Sequence, residues 1–562
     1  MVFNFVSWIH KRRDTIDARP AVRSDGLRSI LARTPLRPEP KEVDMSIRLR
    51  RAALCAAILA VALPAVAYGF SQATHAVAAS STLVIGSNVA PPILDPTASP
   101  SAAIDEVFDY NVYQHLAELT PKGTIVPVLA TSWKISNAGR TYTFTIRSGV
   151  RFSNGDRLTP AAVVFSLKRV IAPKSTYPYK GLMAGVKSVR AVGTNRVAVT
   201  LKTRDWNWLY NLAAYSNGVV LDPKAVAQIA KQPVGTGPFA FSKYTPNYSV
   251  ELVRNPYYWG AKTNVKAVTF RFFANANSEN SALQSGQINV IDNALNPQDL
   301  GAFKGNPKYK IVAGPTNGKI QVTINNTSGP LANKLVRQAI SYATNKGAVI
   351  SAAGGYGVPI ASGTVPGDPW YLDLTKTYAY SPAKAKQLLA QAGYPNGFAT
   401  TLTVPPYSYA ENAATLVAAE LTAVGIKTTI KDIQWPLWLS QVFTNHSFDL
   451  TIIDHVEARD IANYGNAKYY WNYAGSGAVA KMLAAGNNAS TQAASTAKYK
   501  AVVRKITADA VNDWLYDPDQ VTIAQRGVSG LPQSGRTESF YVGYATLGGQ
   551  PSAQARREGY AG

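Results

Sequence analysis

The stretch PVGTGPFAF, Pro233 to Phe241, holds Gly235, Gly237 and Ala240 at the spacing G-x-G-x-x-A, which can bring backbone N–H groups against a pyrophosphate. A dinucleotide turn of this kind follows a strand and opens a helix, whose N-terminal amides face the phosphate. Here Pro238 removes an N–H inside the turn, and Phe239 and Phe241 alternate as a strand would. The glycines therefore read as a tight backbone turn with its exit fixed by Pro238, and no nucleotide is expected. Hydrolytic motifs are equally missing: there is no G-x-S-x-G elbow, no G-x-x-x-x-G-K-[ST] loop and no H-E-x-x-H pair. Past residue 78 the histidines are His115, His446 and His455, and no two have close metal-ligand spacing. The chain is thus read as having no catalytic residue, no metal site and no cofactor, and as not being an enzyme.

The start of the chain carries chemistry of another kind. From Met45, Arg48, Arg50 and Arg51 form a positive region ahead of the uncharged apolar run Ala52 to Val66. That run is short for a bilayer span and suits an export signal, with small-residue cleavage patterns at Ala65-Val66-Ala67 and Ala76-Val77-Ala78. Residues 1–44 precede it and are read as a disordered extension, or a start-site artefact, and residues 45–78 as a signal peptide. The one cysteine, Cys55, lies inside the apolar run, so an exported product would contain no disulfide, thiol nucleophile or thiolate metal site. An extracytoplasmic or periplasmic location follows as the expectation.

Of 562 residues, 57 are Lys or Arg and 33 Asp or Glu, a net charge of +24. The basic residues are scattered, which points to a solvated surface and away from nucleic acid. With 46% hydrophobic and 16% charged residues the chain can build a sizeable core, and its length allows two to four structural units.

The elements that would position a site are legible in part. RTYTFTIRSGVRF alternates Tyr142, Phe144 and Ile146 with threonines, and NRVAVTLK and KAVTFRFF repeat that period-2 pattern. Between the first two, Thr159 caps and Pro160 opens a helix whose face is Val163, Leu167, Val170 and Ile171. The second half shifts to helices: one from Leu331 to Ala343, one capped by Ser381 and ended by Gly393, and one ending at Gly425 before the strand pattern IKTTIKDI. Helix followed by strand argues for α/β units with a mixed sheet.

PVGTGPF also resembles a signature of the extracytoplasmic solute-binding proteins of family 5, the peptide and nickel receptors of ATP-driven importers. The likeness extends to ATSWKISNAGRTYTFTIRSGVRFSNGDRLTPAAVVFSLKRV (130–170), ELVRNPYYWG (251–260), VRQAISYATNK (336–346), YSPAKAKQLLAQAGYPNGF (380–398) and LTAVGIKTTIKDIQW (421–435). It implies an α/β, two-lobed periplasmic-binding-protein fold of class II type with an extra small domain inserted in the first lobe. The first lobe would comprise 79–119, 225–317 and 523–562, the inserted subdomain 120–224 and the second lobe 318–522. The implied role is capture of a di- or oligopeptide or peptide-like solute by a monomer that hands it to permease subunits in the membrane. A non-peptide solute (nickel chelate, opine or oligosaccharide) remains an alternative, as does an exported hydrolase.

In the family's peptide receptors an acidic residue after a second-lobe strand pairs with the ligand's ammonium group, in a run containing Gly-Trp and then Asp. The corresponding stretch is FDLTIIDHVEARDIANYGNAKYYWNY (448–473), which puts Asp454, His455, Glu457 and Asp460 at a loop end and lacks the Gly-Trp. Glu457 and Asp460 are the expected anchors, with Arg459 able to neutralise an acid locally. Trp435, Trp438, Trp370 and Tyr356 are expected to supply flat walls of the cleft, or else core packing. By the same likeness VAPPILDP (89–96), with Leu94, should border the cleft.

Overall fold

Period-2 and period-3.6 patterns become strands and helices where the sequence places them. In the computed structural model, which describes residues 81–561 apart from 100, 295 and 296, Thr141–Ile146 is a strand that alternates half-buried threonines with buried Tyr142, Phe144 and Ile146. The expected extension 1–44 and export signal 45–78 lie outside the described residues. Pro160–Ile171 is a helix whose cap, Thr159, accepts the Ala162 N–H. Pro382–Gln391 is capped by Ser381 in the same way, and Gly393 takes the left-handed φ of +91° that ends it.

One expected helix starts later than its apolar stripe. Gly329–Ala332 is a 3-10 turn, and the α-helix runs Lys334–Ala343 with Asn333 as its cap, accepting the Leu335 N–H. Asn333 is extended there, so its side chain, and not the apolar period, sets the boundary.

The central sheet has twelve strands. Ten of them lie in the order 426–432, 398–404, 450–455, 319–324, 513–525, 290–291, 82–87, 267–272, 249–254 and 239–245. The strand Asp513–Gln525 belongs to both halves. Its first residues pair with Ile320–Val322, and Tyr516–Pro518 pair with Gly357–Pro359. From Asp519 to Gln525 it pairs with Tyr309–Pro315 instead. Two lobes therefore share one strand, which changes partners at Pro518 and Asp519. A separate four-stranded sheet, in the order 130–136, 141–146, 196–201 and 186–192, lies within the segment 120–224 expected as an inserted unit.

Each lobe closes over its own core. The second-lobe sheet packs Ile320, Val322, Leu402 and Leu450 against the helices that carry Ile340, Leu389 and Val417. First-lobe Leu83, Ile85, Val268 and Phe270 pack with Ile104 and Phe108. A further cluster joins Tyr210 and Tyr215, which follow the inserted sheet in the chain, to second-lobe Trp370, Ile461 and Trp471. All the described residues fall within one compact unit.

The GTG turn has no helix after it. Phe239–Thr245 is a strand, and neither glycine has a positive φ. What requires glycine is close approach of backbone: a Cβ on Gly235 would meet the Val112 carbonyl oxygen at 1.9 Å, and one on Gly237 that of Asn111 at 2.5 Å. The Gly237 and Phe239 amides donate to those same carbonyls, at 2.9 Å and 3.0 Å. The turn stitches two first-lobe segments together.

Candidate functional site

Antiparallel pairing of Lys319–Ile324 with Leu450–His455 puts Lys319 opposite His455 at the end of the second-lobe sheet. The Asp454 carboxylate accepts the Lys319 N–H at 2.8 Å, and burial raises the pKa of Asp454. The Lys319 ammonium donates to the main-chain carbonyls of Asn317, at 2.6 Å, and Glu457, at 3.0 Å. These bonds fix the loop that leaves the strand, and with it the direction of Glu457.

His455 is buried, its ring stacked on Tyr470 with centroids 6.0 Å apart and its Nε2 2.9 Å from the Tyr470 hydroxyl. Its Nδ1 lies 3.6 Å from both Glu457 Oε2 and Asp460 Oδ1. Burial disfavours the imidazolium, yet Tyr470, Asp460 and Glu457 hold the His455 pKa well above its ordinary value. For Asp460, burial works upward and the His455 charge outweighs it, so its pKa is lowered. Asp460 also accepts a hydrogen bond from Asn463 Nδ2 at 2.7 Å.

Glu457 differs from Asp460. Its side chain keeps 12% of its surface exposed, and neither carboxylate oxygen has a hydrogen-bond partner. Across from it stand first-lobe groups that the sequence did not single out. Tyr179 lies 5.7 Å from Tyr177 and 4.7 Å from Tyr215, ring centroid to ring centroid. Burial raises the pKa of Tyr215 strongly, and the Glu457 charge adds to it. Glu538, which adopts a left-handed φ of +56°, is raised by burial with Glu457 and Asp109 adding to it. Asp105, hydrogen-bonded by the Ser216 hydroxyl at 2.7 Å, is raised by burial and then by Asp109 and Glu538. Acids from both lobes thus raise one another's pKa beside a group of tyrosines.

Contacts also join the second lobe to residues 205–210. The Arg459 guanidinium pairs with Asp205 at 3.5 Å and donates to the Tyr499 hydroxyl and, at 3.2 Å, to Asn487. Arg459 therefore neutralises Asp205, a partner from another part of the chain, and neither of the acids beside it. Trp206 Nε1 donates to the Ala489 carbonyl at 2.8 Å, and Trp370, only 1% exposed, meets Tyr210 edge-on at 5.6 Å.

The remaining expected residues fall elsewhere. Leu94 is in the first-lobe core, and Trp438 is in a second-lobe core with its Nε1 donating to Thr451 at 2.9 Å. Trp435 is partly buried and stacks on Trp438 at 5.0 Å. Tyr356 packs on the cluster of Leu283, Ile288 and Phe303, just before a strand that pairs with the shared strand.

Residues 124–480 match the sequence profile of the bacterial extracellular solute-binding proteins, family 5. The chain is similar to heme-binding protein A of Haemophilus influenzae, at 33% identity over 378 residues, 60% of this chain and 69% of that protein. It is also similar to the glutathione-binding protein GsiB of Pectobacterium atrosepticum, at 33% identity over 57% of this chain and 63% of that one. Among solved structures, the periplasmic binding protein DppA from Helicobacter pylori, in complex with the peptide STSA, superposes with a TM-score of 0.65 at 25% identity, covering 83% of this chain and 98% of that one.

Proposed function

The chain belongs to family 5 of the bacterial extracellular solute-binding proteins, and on that premise we propose that it captures a di- or oligopeptide, or a peptide-like solute, between its lobes. It delivers the solute to permease subunits of an ATP-driven importer, working outside the cytoplasm as an exported monomer. Similarity to a glutathione-binding and a peptide-bound relative supports the ligand class.

The carrying observation is Glu457, a nearly buried carboxylate with no hydrogen bond to either oxygen. Glu457 and Asp460 share the single imidazolium of His455, which leaves a net negative charge in a nearly buried place, and a ligand ammonium group set there would offset it. Tyr179, partly buried beside Tyr215, supplies a broad face that loses little freedom on binding, which suits varied side chains. Closure fits the shared strand: a ligand that touches both lobes binds the closed form better and so favours it.

A thermal-shift screen tests this on protein that has been unfolded and refolded to strip carried-over ligand. Peptides at about a hundred times their Kd should stabilise the native state by about 2.7 kcal/mol. The shift should be lost in Glu457→Ala. A response to sugars or opines alone would overturn the peptide class while leaving the transport role.

A further inference from the structure

A different pair of acids meets in the first lobe. The helix Ala102–Phe108 carries Glu106, and the strand Val290–Ile291 is followed by Asp292, which is 3% exposed. The two carboxyl groups are hydrogen-bonded to each other. Ionised carboxylates have no hydrogen to donate, so this contact requires that one of the two hold a proton.

The surroundings say which one. The Ser87 hydroxyl donates to Glu106 Oε1 at 2.7 Å, which leaves the other Glu106 oxygen to carry a proton toward Asp292. Burial pushes the Glu106 pKa well up, and Asp292 and then Glu279 add to it. Asp292 is also raised by burial, against hydrogen bonds from Glu106, Ser87 and the Asn293 N–H. Glu279, on the helix Ala276–Gln284, is the further acid facing the pair from a neighbouring element, and a Cβ on Gly86 would meet its Oε1 at 2.9 Å. None of the main influences on either acid is a cation. Loss of the proton would therefore set two like charges in contact.

The pair also sits where it can act on the shared strand. The Asp292 main-chain carbonyl accepts the Thr522 hydroxyl at 2.8 Å and Gln520 Nε2 at 3.1 Å, both just past the residues at which that strand changes partners. The Glu106 carbonyl accepts the Phe540 N–H at 3.0 Å, from the segment that follows the strand. Repulsion between Glu106 and Asp292 would thus reach the helix 102–108, the strand 290–291 and the shared strand together.

We propose that Glu106 and Asp292 form a one-proton clasp beside the shared strand, which holds the first-lobe side of the exchange point firm while the proton is bound and frees it when the proton is lost. A proton held more tightly in the native than in the unfolded state makes this contribution present at low pH and lost as pH rises. The exchange point is then stiffer in acid than in alkali.

The test uses the full chain and needs no solute. Infrared difference spectra between neutral and alkaline pH should show a protonated carboxyl that is lost in wild type and missing in Glu106→Gln, whose amide still donates to Asp292. It should also be missing in Asp292→Asn, whose amide can donate to an ionised Glu106. Amide hydrogen exchange, corrected for its intrinsic rate, should show protection across 519–525 falling about tenfold more in wild type than in Glu106→Gln between about pH 6 and about pH 9. Should one variant fail to fold, the other serves for both measurements. A carboxyl band of equal size in wild type and variant, or an equal change of exchange with pH in the two, overturns the clasp.

Discussion

At the scale of single residues, Glu457 and Asp460 are indistinguishable in the sequence and different in the fold. Asp460 is engaged by His455 and Asn463, so Asp460→Asn should destabilise the ligand-free protein by about 1–3 kcal/mol, read from denaturant unfolding. Glu457→Gln loses only its pairing with His455, and no bond like that of Asn463 to Asp460, so it should cost less than Asp460→Asn in the same measurement. Asp368 gives a pH signature. Burial pushes its pKa up to about 6, with Lys319 and the Val365 N–H pulling the other way. Its native state holds a proton more tightly than its unfolded state, so this group's contribution is fully present below the ordinary carboxylate range and is lost as pH rises through about 6. Melting temperatures of wild type and Asp368→Asn should therefore diverge in favour of wild type as pH falls from about 7 to about 4.5. Nothing local to Asp368, Glu538 or Asp105 marked them in the sequence, because each owes its environment to residues far along the chain.

At the scale of elements, local patterns carried furthest. Alternation at 141–146 and the Thr159 and Ser381 caps were legible because period and capping are properties of adjacent residues. Asp513–Gln525 was not legible as one strand, since Asp517, Pro518 and Asp519 interrupt its apolar pattern. They are tolerated because the strand exchanges partners there, and Asp517 Oδ1 accepts both the N–H and the hydroxyl of Thr316 at 3.1 Å. The GTG turn was read as a tight turn leading into a strand, as the fold has it, but the need for glycine is steric contact with Val112 and Asn111, which only the fold reveals. Gly235→Ala should cost more than about 2 kcal/mol of stability in chemical denaturation, because backbone has to move to admit the methyl group.

At the scale of the whole molecule, two lobes joined through one shared strand make closure the functional variable. Family likeness in the sequence implied this architecture, while the contacts of Arg459 with Asp205 and of Trp370 with Tyr210 join segments far apart in the chain and left no local trace. Arg459→Ala should weaken ligand binding several-fold without touching Glu457, and small-angle scattering should show ligand-induced compaction reduced in that variant. The central claim is that Glu457 receives the ammonium end of a peptide-like ligand. Its most direct test is calorimetric titration of one peptide that binds, compared with its N-acetylated form, on wild type and Glu457→Gln. The account predicts that acetylation lowers wild-type affinity at least tenfold, about 1.4 kcal/mol, and has little further effect on the variant. Equal affinity of wild type for both forms would contradict it.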